Sequence, residues 1–164
     1  MRELRVVDAM ELAVAYAAAG YAVEHEGRGH PVRVGQPATP LEAARPAARY
    51  AFITAWNPAS DPRPDDANEA ADARLVARLD ALGIERSPAR AQSSDGRWRE
   101  PGWLLYDAGQ DTLLALAREF GQAGVLGWAR GEPVQLYMLM GRPGRPAPDM
   151  PEAVIRWVEE PATA

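Results

Sequence analysis

The chain contains no lysine and no cysteine, and each absence excludes a class of chemistry. All 18 basic residues are therefore arginines, so the chain has neither a Schiff-base lysine nor the lysine of a Walker phosphate loop. Without cysteine it can form no disulfide, no thiol nucleophile and no cysteine-ligated metal site. Function must therefore be sought in carboxylate, hydroxyl, amide and arginine side chains.

Histidine is also scarce. The two histidines, His25 and His30, flank the segment EGRG, with Glu24 and Glu26 beside them. This spacing matches no ligand motif, and a metal would need further ligands from elsewhere in the chain. We therefore predict no metal site. The segments GRG and GRPG do not form a dinucleotide fingerprint, because neither stands between a strand and a helix at the required spacing, so we predict no cofactor either.

Charge and apolar patterning limit the partners. The net charge of −5 opposes the electrostatic attraction on which nucleic-acid binding depends, so we expect no nucleic-acid partner. The apolar run from Glu11 to Val23 is too short to span a bilayer, and the acidic residues in and before it are atypical of a signal peptide. We expect a cytoplasmic protein without a membrane partner. The high content of alanine, arginine, proline and glycine is typical of a GC-rich genome.

Length and patterning predict a single α/β domain over residues 1–140, followed by a Pro/Gly-rich extension over 141–164 that could pack on it. The first half predicts a helix from Ala9 to Ala19, a hairpin, and a short helix opened by a capping box at Thr39. A strand from Tyr50 to Trp56 has apolar residues on both faces, which is typical of a central strand. A helix from Asp66 to Leu82 follows, with Asn68 in line with its apolar stripe.

In the second half, we interpret Ser87–Gly102 as a long polar connection. The strand WLLYDA, an aliphatic helix and the strand GVLGWA then predict a βαβ crossover, and VQLYMLM completes a C-terminal hairpin. The segment EAVIRWVEE fits a strand or a helical turn equally well. Together these elements predict a single mixed sheet with packed helices, of the α/β class, with α+β as the alternative.

Several of these segments resemble a known family. The block Thr54-Ala55-x-Asn57-Pro58, the later Asn68, the segment EPGW from Glu100 and the corner FGQAGV from Phe120 are similar to the bacterial domain-of-unknown-function family 3293. The resemblance spans roughly residues 12–139. It departs at Gly20, where the family leads us to expect a threonine before Tyr21. Because the function of the family is not established, the resemblance implies positions rather than an activity.

The polar residues around the predicted Asn57-Pro58 corner support two interpretations. Asn57 and Pro58 can form a purely structural turn, in which Asn68 bonds to the corner and holds it. Alternatively, polar groups present a ligand-binding site at the end of a central strand. The candidate ligand-binding residues are Thr54, Asn57, Ser60, Asn68, Trp98, Glu100 and Gln122.

Strand directions decide whether these residues can meet. Glu100 and Gln122 precede the two strands of the predicted crossover, so they should lie at the same edge of the sheet. They join Thr54 and Asn57 only if both strands run antiparallel to the strand that ends near Trp56. Glu100 is the one ionisable member, and hence the weak candidate for a catalytic acid or base, or else an ordinary surface carboxylate.

Two functional hypotheses remain open. The first is a small-molecule site, binding or hydrolytic, for a small polar or anionic ligand, with the arginine-rich segment around Trp98 as its lid. The second is a protein-interaction or regulatory module without enzymatic activity, in which the same residues only fix corners. The second hypothesis fits the lack of a recognisable catalytic motif, and a protein partner would then dock on a hairpin edge or on the Pro-rich tail.

Overall fold

The structure, a computed structural model, describes residues 9–140 and 154–158. Within these residues, four α-helices and one short 3-10 helix accompany eight strands. The helices are α1 (Ala9–Ala18), α2 (Thr39–Ala44), α3 (Asp65–Ala81) and α4 (Gln110–Glu119), and the 3-10 helix is Pro58–Ser60. The strands are β1 (Gly20–His25), β2 (Arg28–Val32), β3 (Arg49–Ile53), β4 (Arg86–Gln92), β5 (Arg99–Tyr106), β6 (Gly124–Ala129), β7 (Gln135–Met138) and β8 (Ile155–Trp157).

All eight strands form one sheet in the order β2-β1-β4-β5-β3-β6-β7-β8. Every neighbouring pair is antiparallel except β7 and β8, which run parallel. The sheet is therefore mixed, and the predicted α/β class, N-terminal helix and hairpin, and C-terminal hairpin are confirmed. No helix in the described part of the chain is long and apolar enough to cross a membrane.

Strand β3 lies inside the sheet with helices over both faces, as its uniformly apolar sequence predicts. Tyr50 and Phe52 pack into the core cluster that includes Leu12 of α1 and Leu41 of α2. The alternate residues, Ala51 and Ile53, pack into a second cluster. That cluster contains Leu75 and Leu79 of α3 and Leu113, Leu116 and Ala117 of α4. The two helix layers thus sandwich the sheet, and β3 ends at Ile53 rather than at Trp56.

The predicted crossover unit is present, with one difference in strand order. Strands β5 and β6 flank β3, and each pairs with it antiparallel, so the two run parallel to each other without touching. Helix α4 connects them. Because both strands begin beside the end of β3, this arrangement brings three strand ends to one edge of the sheet.

The prediction of a polar loop over Ser87–Gly102 is wrong. Most of this segment forms an antiparallel hairpin between β4 and β5. The buried residues of β4 are small and polar or weakly apolar, namely Ser87, Ala89 and Ala91, and they alternate with exposed Pro88 and Arg90. Buried and exposed residues alternate along β4 with the period of two that is typical of a strand. The alternation is hard to see in the sequence because the buried residues are only weakly hydrophobic.

The predicted capping box at Thr39 does not form. Thr39 is the first residue of α2, the N-cap position is Ala38, and no side-chain hydrogen bond caps the helix. The Glu42 carboxylate is instead buried, where it accepts hydrogen bonds from Trp128 Nε1 at 3.3 Å and Gly131 N at 2.6 Å. A tertiary contact with β6 and with the turn that follows it has replaced the local one.

Two segments outside the central strands extend the pairing of the sheet, namely β8 and the segment that follows β2. Strand β8 lies within the predicted extension, pairs with β7 and settles the question between strand and helical turn in favour of a strand. The segment after β2 forms isolated bridges at Val34 with Val134 and at Pro37 with Pro133. Asp8 directly precedes the predicted helix, where an aspartate is a typical N-cap, and it lies outside the described residues.

Candidate functional site

The end of β3 and the starts of β5 and β6 meet at one edge of the sheet. The antiparallel register pairs Ile53 with Trp103 and Phe52 with Leu126. Glu100 precedes Trp103 in β5, and Gln122 lies just before β6, so both stand beside the segment that follows Ile53. This is the strand arrangement required to bring the predicted polar positions together. We call the segment Thr54–Ser60, with Glu100 and Gln122, the Asn57 corner.

The backbone of the Asn57 corner adopts conformations that non-glycine residues seldom occupy. Asn57 has φ 44° and ψ 67°, in the left-handed region, and Ser60 has φ 60°. Asparagine is enriched in this region of backbone conformation, whereas serine seldom adopts it. Such strain persists only where surrounding contacts hold it, and it is concentrated at ligand sites and active sites.

Asn57 and Asn68 hold the corner through reciprocal hydrogen bonds. The Asn57 backbone N–H donates to Asn68 Oδ1 at 2.9 Å, and Asn68 Nδ2 donates to Asn57 Oδ1 at 2.9 Å. Arg63 adds hydrogen bonds from Nε to Asn68 Oδ1 at 2.6 Å and from Nη2 to the Ala55 carbonyl oxygen at 2.9 Å. Asn68 is only 1% exposed, so its amide is satisfied by the corner rather than by solvent.

Thr54 and Gln122 tie the corner to the neighbouring strands. Thr54 Oγ1 donates to the Pro101 carbonyl oxygen at 2.7 Å and accepts from the Trp56 N–H at 3.0 Å. Gln122 Nε2 donates to the Trp56 carbonyl oxygen at 3.1 Å and to that of Phe120 at 3.4 Å. Because both acceptors are carbonyl oxygens, the nitrogen of the Gln122 amide must face them. Its Oε1 therefore points away from these two carbonyl groups.

Glu100 is the buried ionisable group of the corner. Its Oε1 accepts a hydrogen bond from Asn57 Nδ2 at 2.7 Å, and the residue is 4% exposed. Burial raises the pKa of the Glu100 carboxyl to about 7, although hydrogen bonds from the Asn57 and Trp98 side chains act in the opposite direction. The carboxyl therefore changes charge near neutral pH, which suits a group that exchanges protons or partners with a ligand.

Aromatic side chains cover the corner from the α1 side of the sheet. The Tyr16 hydroxyl hydrogen-bonds to Ser60 Oγ, and the Tyr21 hydroxyl donates to the Tyr16 carbonyl oxygen at 3.0 Å. Burial raises the pKa of both tyrosine hydroxyls, so both stay protonated at neutral pH. Tyr16 thus connects helix α1 to the left-handed Ser60.

Two glycines allow rings to lie directly on the strands. A Cβ at Gly102 would come within 2.7 Å of Phe52 Cζ and 2.8 Å of the Ile53 carbonyl oxygen. A Cβ at Gly124 would lie 2.9 Å from Tyr16 Cδ2. No larger residue fits either position without moving its neighbours, so both glycines contribute to the shape of the site.

These groups line a narrow cavity, which we call the corner pocket. Its inner volume is about 20 Å³, sufficient for a group the size of one water molecule. Glu100 is the one carboxyl of the lining, and arginine and histidine are absent among its described residues. Its chemically distinctive members are Tyr16, Thr54, Asn57, Ser60, Glu100 and Gln122, with Trp98 at one side.

The candidate ligand-binding residues differ in where they lie relative to the corner pocket. Thr54, Asn57, Ser60, Trp98, Glu100 and Gln122 all line the corner pocket, whereas Asn68 lies behind it and braces Asn57. The predicted arginine lid is the turn of the β4–β5 hairpin, in which Trp98 is half-buried while Arg97 and Arg99 point to solvent. Ser93, Asp95 and Trp98 cross-link this turn, so only the tryptophan reaches the pocket.

A wider groove of about 520 Å³ lies beyond Pro58, over α3 and the end of α4. It is lined by Arg63, Arg74 and Arg78 over an apolar floor that includes Phe120. Arg78 Nε lies 3.2 Å from Glu119 Oε2, and Arg63 is held by Asn68 and Ala55. Arg74 is exposed and enters no ion pair with another described residue.

Sequence reasoning missed Tyr16, Tyr21 and Arg63. Tyr16 falls within the predicted helix Ala9–Ala19, and Arg63 falls between the predicted strand and the predicted helix that starts at Asp66. A tyrosine at the buried end of a helix was the available signal, since its hydroxyl needs a partner. No comparable signal marked Arg63. The described residues hold no group of three His, Cys, Asp or Glu side chains arranged for a metal, and the rings of His25 and His30 have centroids 6.5 Å apart.

The fold and this site define an α/β protein with a polar pocket at one edge of a mixed sheet. Within it, residues 53–125 match the family described as "Protein of unknown function (DUF3293)". The match confirms the family resemblance and covers the Asn57 corner, α3, the β4–β5 hairpin and α4. It covers less than half of the chain and does not include Gly20. Comparisons with curated proteins and with solved structures gave no match.

Proposed function

We propose that the protein binds a small polar ligand in the corner pocket and that Glu100 is the ionisable group that recognises it. The supporting observation is a buried carboxyl, with its pKa raised to about 7, that lines a cavity beside the amides and hydroxyls of the corner. A protein interior ordinarily avoids such a group, because burying a carboxylate without a cation is costly.

A purely structural role accounts for part of the corner but not for Glu100. Asn68, Arg63 and Thr54 already bond to backbone groups of the corner and hold it. Glu100 accepts hydrogen bonds from the Asn57 and Trp98 side chains, and the uncharged amide oxygen of a glutamine could accept the bond from Asn57 equally well. The buried acid is therefore better explained by a ligand than by stability.

The arginine-lined groove supports a second binding function, for an anion. Arg63 is already immobilised there, and exposed Arg74 enters no ion pair with another described residue. Guanidinium groups held in this way bind carboxylate or phosphate well. An anionic ligand therefore suits the groove, whereas the acidic lining of the corner pocket favours a neutral or cationic one.

A thermal-shift screen of metabolites against three variants tests these functions. Glu100→Gln should abolish the shift given by a corner-pocket ligand without lowering the melting temperature of the free protein. The matched control is Glu69→Gln, which removes the same charge from an exposed position of α3. Arg74→Gln should abolish the shift only for an anion bound in the groove.

The outcomes separate the hypotheses. A ligand whose shift is lost in Glu100→Gln and kept in Glu69→Gln supports the corner pocket. Ligands that depend on Arg74 but not on Glu100 support the groove instead. A screen without any shift, together with a protein partner recovered in a pull-down, would support the interaction module and contradict both binding sites.

A further inference from the structure

Two side chains of the corner pocket, Glu100 and Gln122, have oxygen atoms that can accept a further hydrogen bond. The Nδ2 and backbone N–H groups of Asn57 are used by Glu100 and Asn68, and the Nε2 of Gln122 is used by two carbonyl oxygens. The Glu100 carboxylate accepts hydrogen bonds from the Asn57 and Trp98 side chains, and its two oxygens can accept more than these two bonds. Oε1 of Gln122 is on the side away from the bonds that Nε2 donates. A ligand group that carries several donors can therefore bond to both residues at once.

The size of the space restricts that group further. About 20 Å³ accommodates a water-sized group, which matches a protonated primary amine. A trimethylammonium head is several times larger. The half-buried rings of Tyr16 and Trp98 stand at the side of the pocket, where they can contact an apolar tail and attract a cation.

We propose that the corner pocket recognises a primary ammonium group, which donates hydrogen bonds to the Glu100 carboxylate and to Gln122 Oε1. This inference rests on the proposed function and names its ligand class. The anionic ligand that the arginine-rich segment suggested does not suit this pocket, because the segment directs its arginines to solvent.

The charges around Glu100 make the pH dependence predictable. From α1 and β1 it faces Tyr16 and Tyr21, whose raised pKa values keep them neutral, and from the hairpin it faces uncharged Trp98. Among the cations, Arg63 bonds to Asn68 behind Asn57, and Arg97 and Arg99 of the hairpin point to solvent. Primary amines titrate at about pH 10, so between pH 6 and pH 8 only Glu100 changes charge at the pocket.

The test uses isothermal titration calorimetry with 2-phenylethylamine on the full chain. Affinity should rise about tenfold from pH 6 to pH 8, because ammonium binding requires the ionised carboxylate. At pH 6, binding should release about 0.9 proton per amine, which titrations in buffers of different ionisation enthalpy measure. Glu100→Gln should abolish both effects, and Glu69→Gln should leave them unchanged.

Three matched probes define the head group. The trimethylammonium derivative, 2-phenylethanol and 3-phenylpropionate should bind at least tenfold more weakly than the amine. Stronger binding of the alcohol or the carboxylate would overturn the ammonium assignment while leaving the corner pocket as a binding site. Absence of amine binding, or amine binding without proton release, would also overturn it. The metabolite screen tests the proposed function separately.

Discussion

Glu100 combines burial with ionisation, and this combination should be visible in stability. Its pKa is about 7 in the folded protein and near the ordinary 4.5 in the unfolded chain, so the folded state binds the proton more tightly. The resulting stabilisation is complete below about pH 4.5, declines as pH rises and is lost above about pH 7. The free energy of unfolding should fall by up to about 3 kcal/mol across this range.

Urea unfolding at pH 5 and pH 8 measures this loss in the native protein and in Glu100→Gln. The glutamine keeps the hydrogen bond with Asn57 and cannot ionise. The variant should therefore lack most of the loss of about 3 kcal/mol in unfolding free energy that we expect for the native protein. Taking the difference between the two proteins removes the contribution of the groups that they share. Equal losses in both proteins would contradict a raised pKa at Glu100.

At the scale of single elements, the two strand glycines Gly102 and Gly20 should respond differently to replacement by alanine, because only Gly102 has an aromatic ring packed against it. Gly102→Ala places a Cβ against Phe52 and against the backbone oxygen of Ile53, so we expect a loss of about 1–3 kcal/mol in unfolding free energy. Gly20→Ala meets nothing within 4 Å and should stabilise β1 by up to about 1 kcal/mol. Denaturant unfolding of both variants checks the pair, and a neutral Gly102→Ala would refute the close approach.

The elements also show how far local sequence predicts this fold. The central position of β3 followed from its apolar residues on both faces, and α3 and α4 from their periodicity. The β4–β5 hairpin was missed because alanine and serine, rather than large apolar residues, fill its buried positions. The capping box was mispredicted because Glu42 found Trp128, a partner 86 residues away that no local pattern contains.

For the whole molecule, topology brings the site together. Glu100 lies 43 residues from Asn57, yet they share a hydrogen bond because β3 runs antiparallel to both strands of the crossover. The sequence predicted both crossover strands but not their direction relative to β3. Whether Glu100 and Gln122 would meet Asn57 therefore depended on that direction. Tyr16 and Tyr21 entered the pocket through the packing of α1 and the pairing of β1 with β4, which sequence alone did not indicate.

The most direct test of this account is the titration of the Glu100 side-chain carboxyl by ¹³C NMR in the free protein, assigned with Glu100→Gln. Burial beside the Asn57 corner predicts a midpoint at about pH 7. A midpoint near 4.5, the ordinary value for glutamate, would show a solvated carboxyl and contradict the poised acid on which the proposed pocket depends.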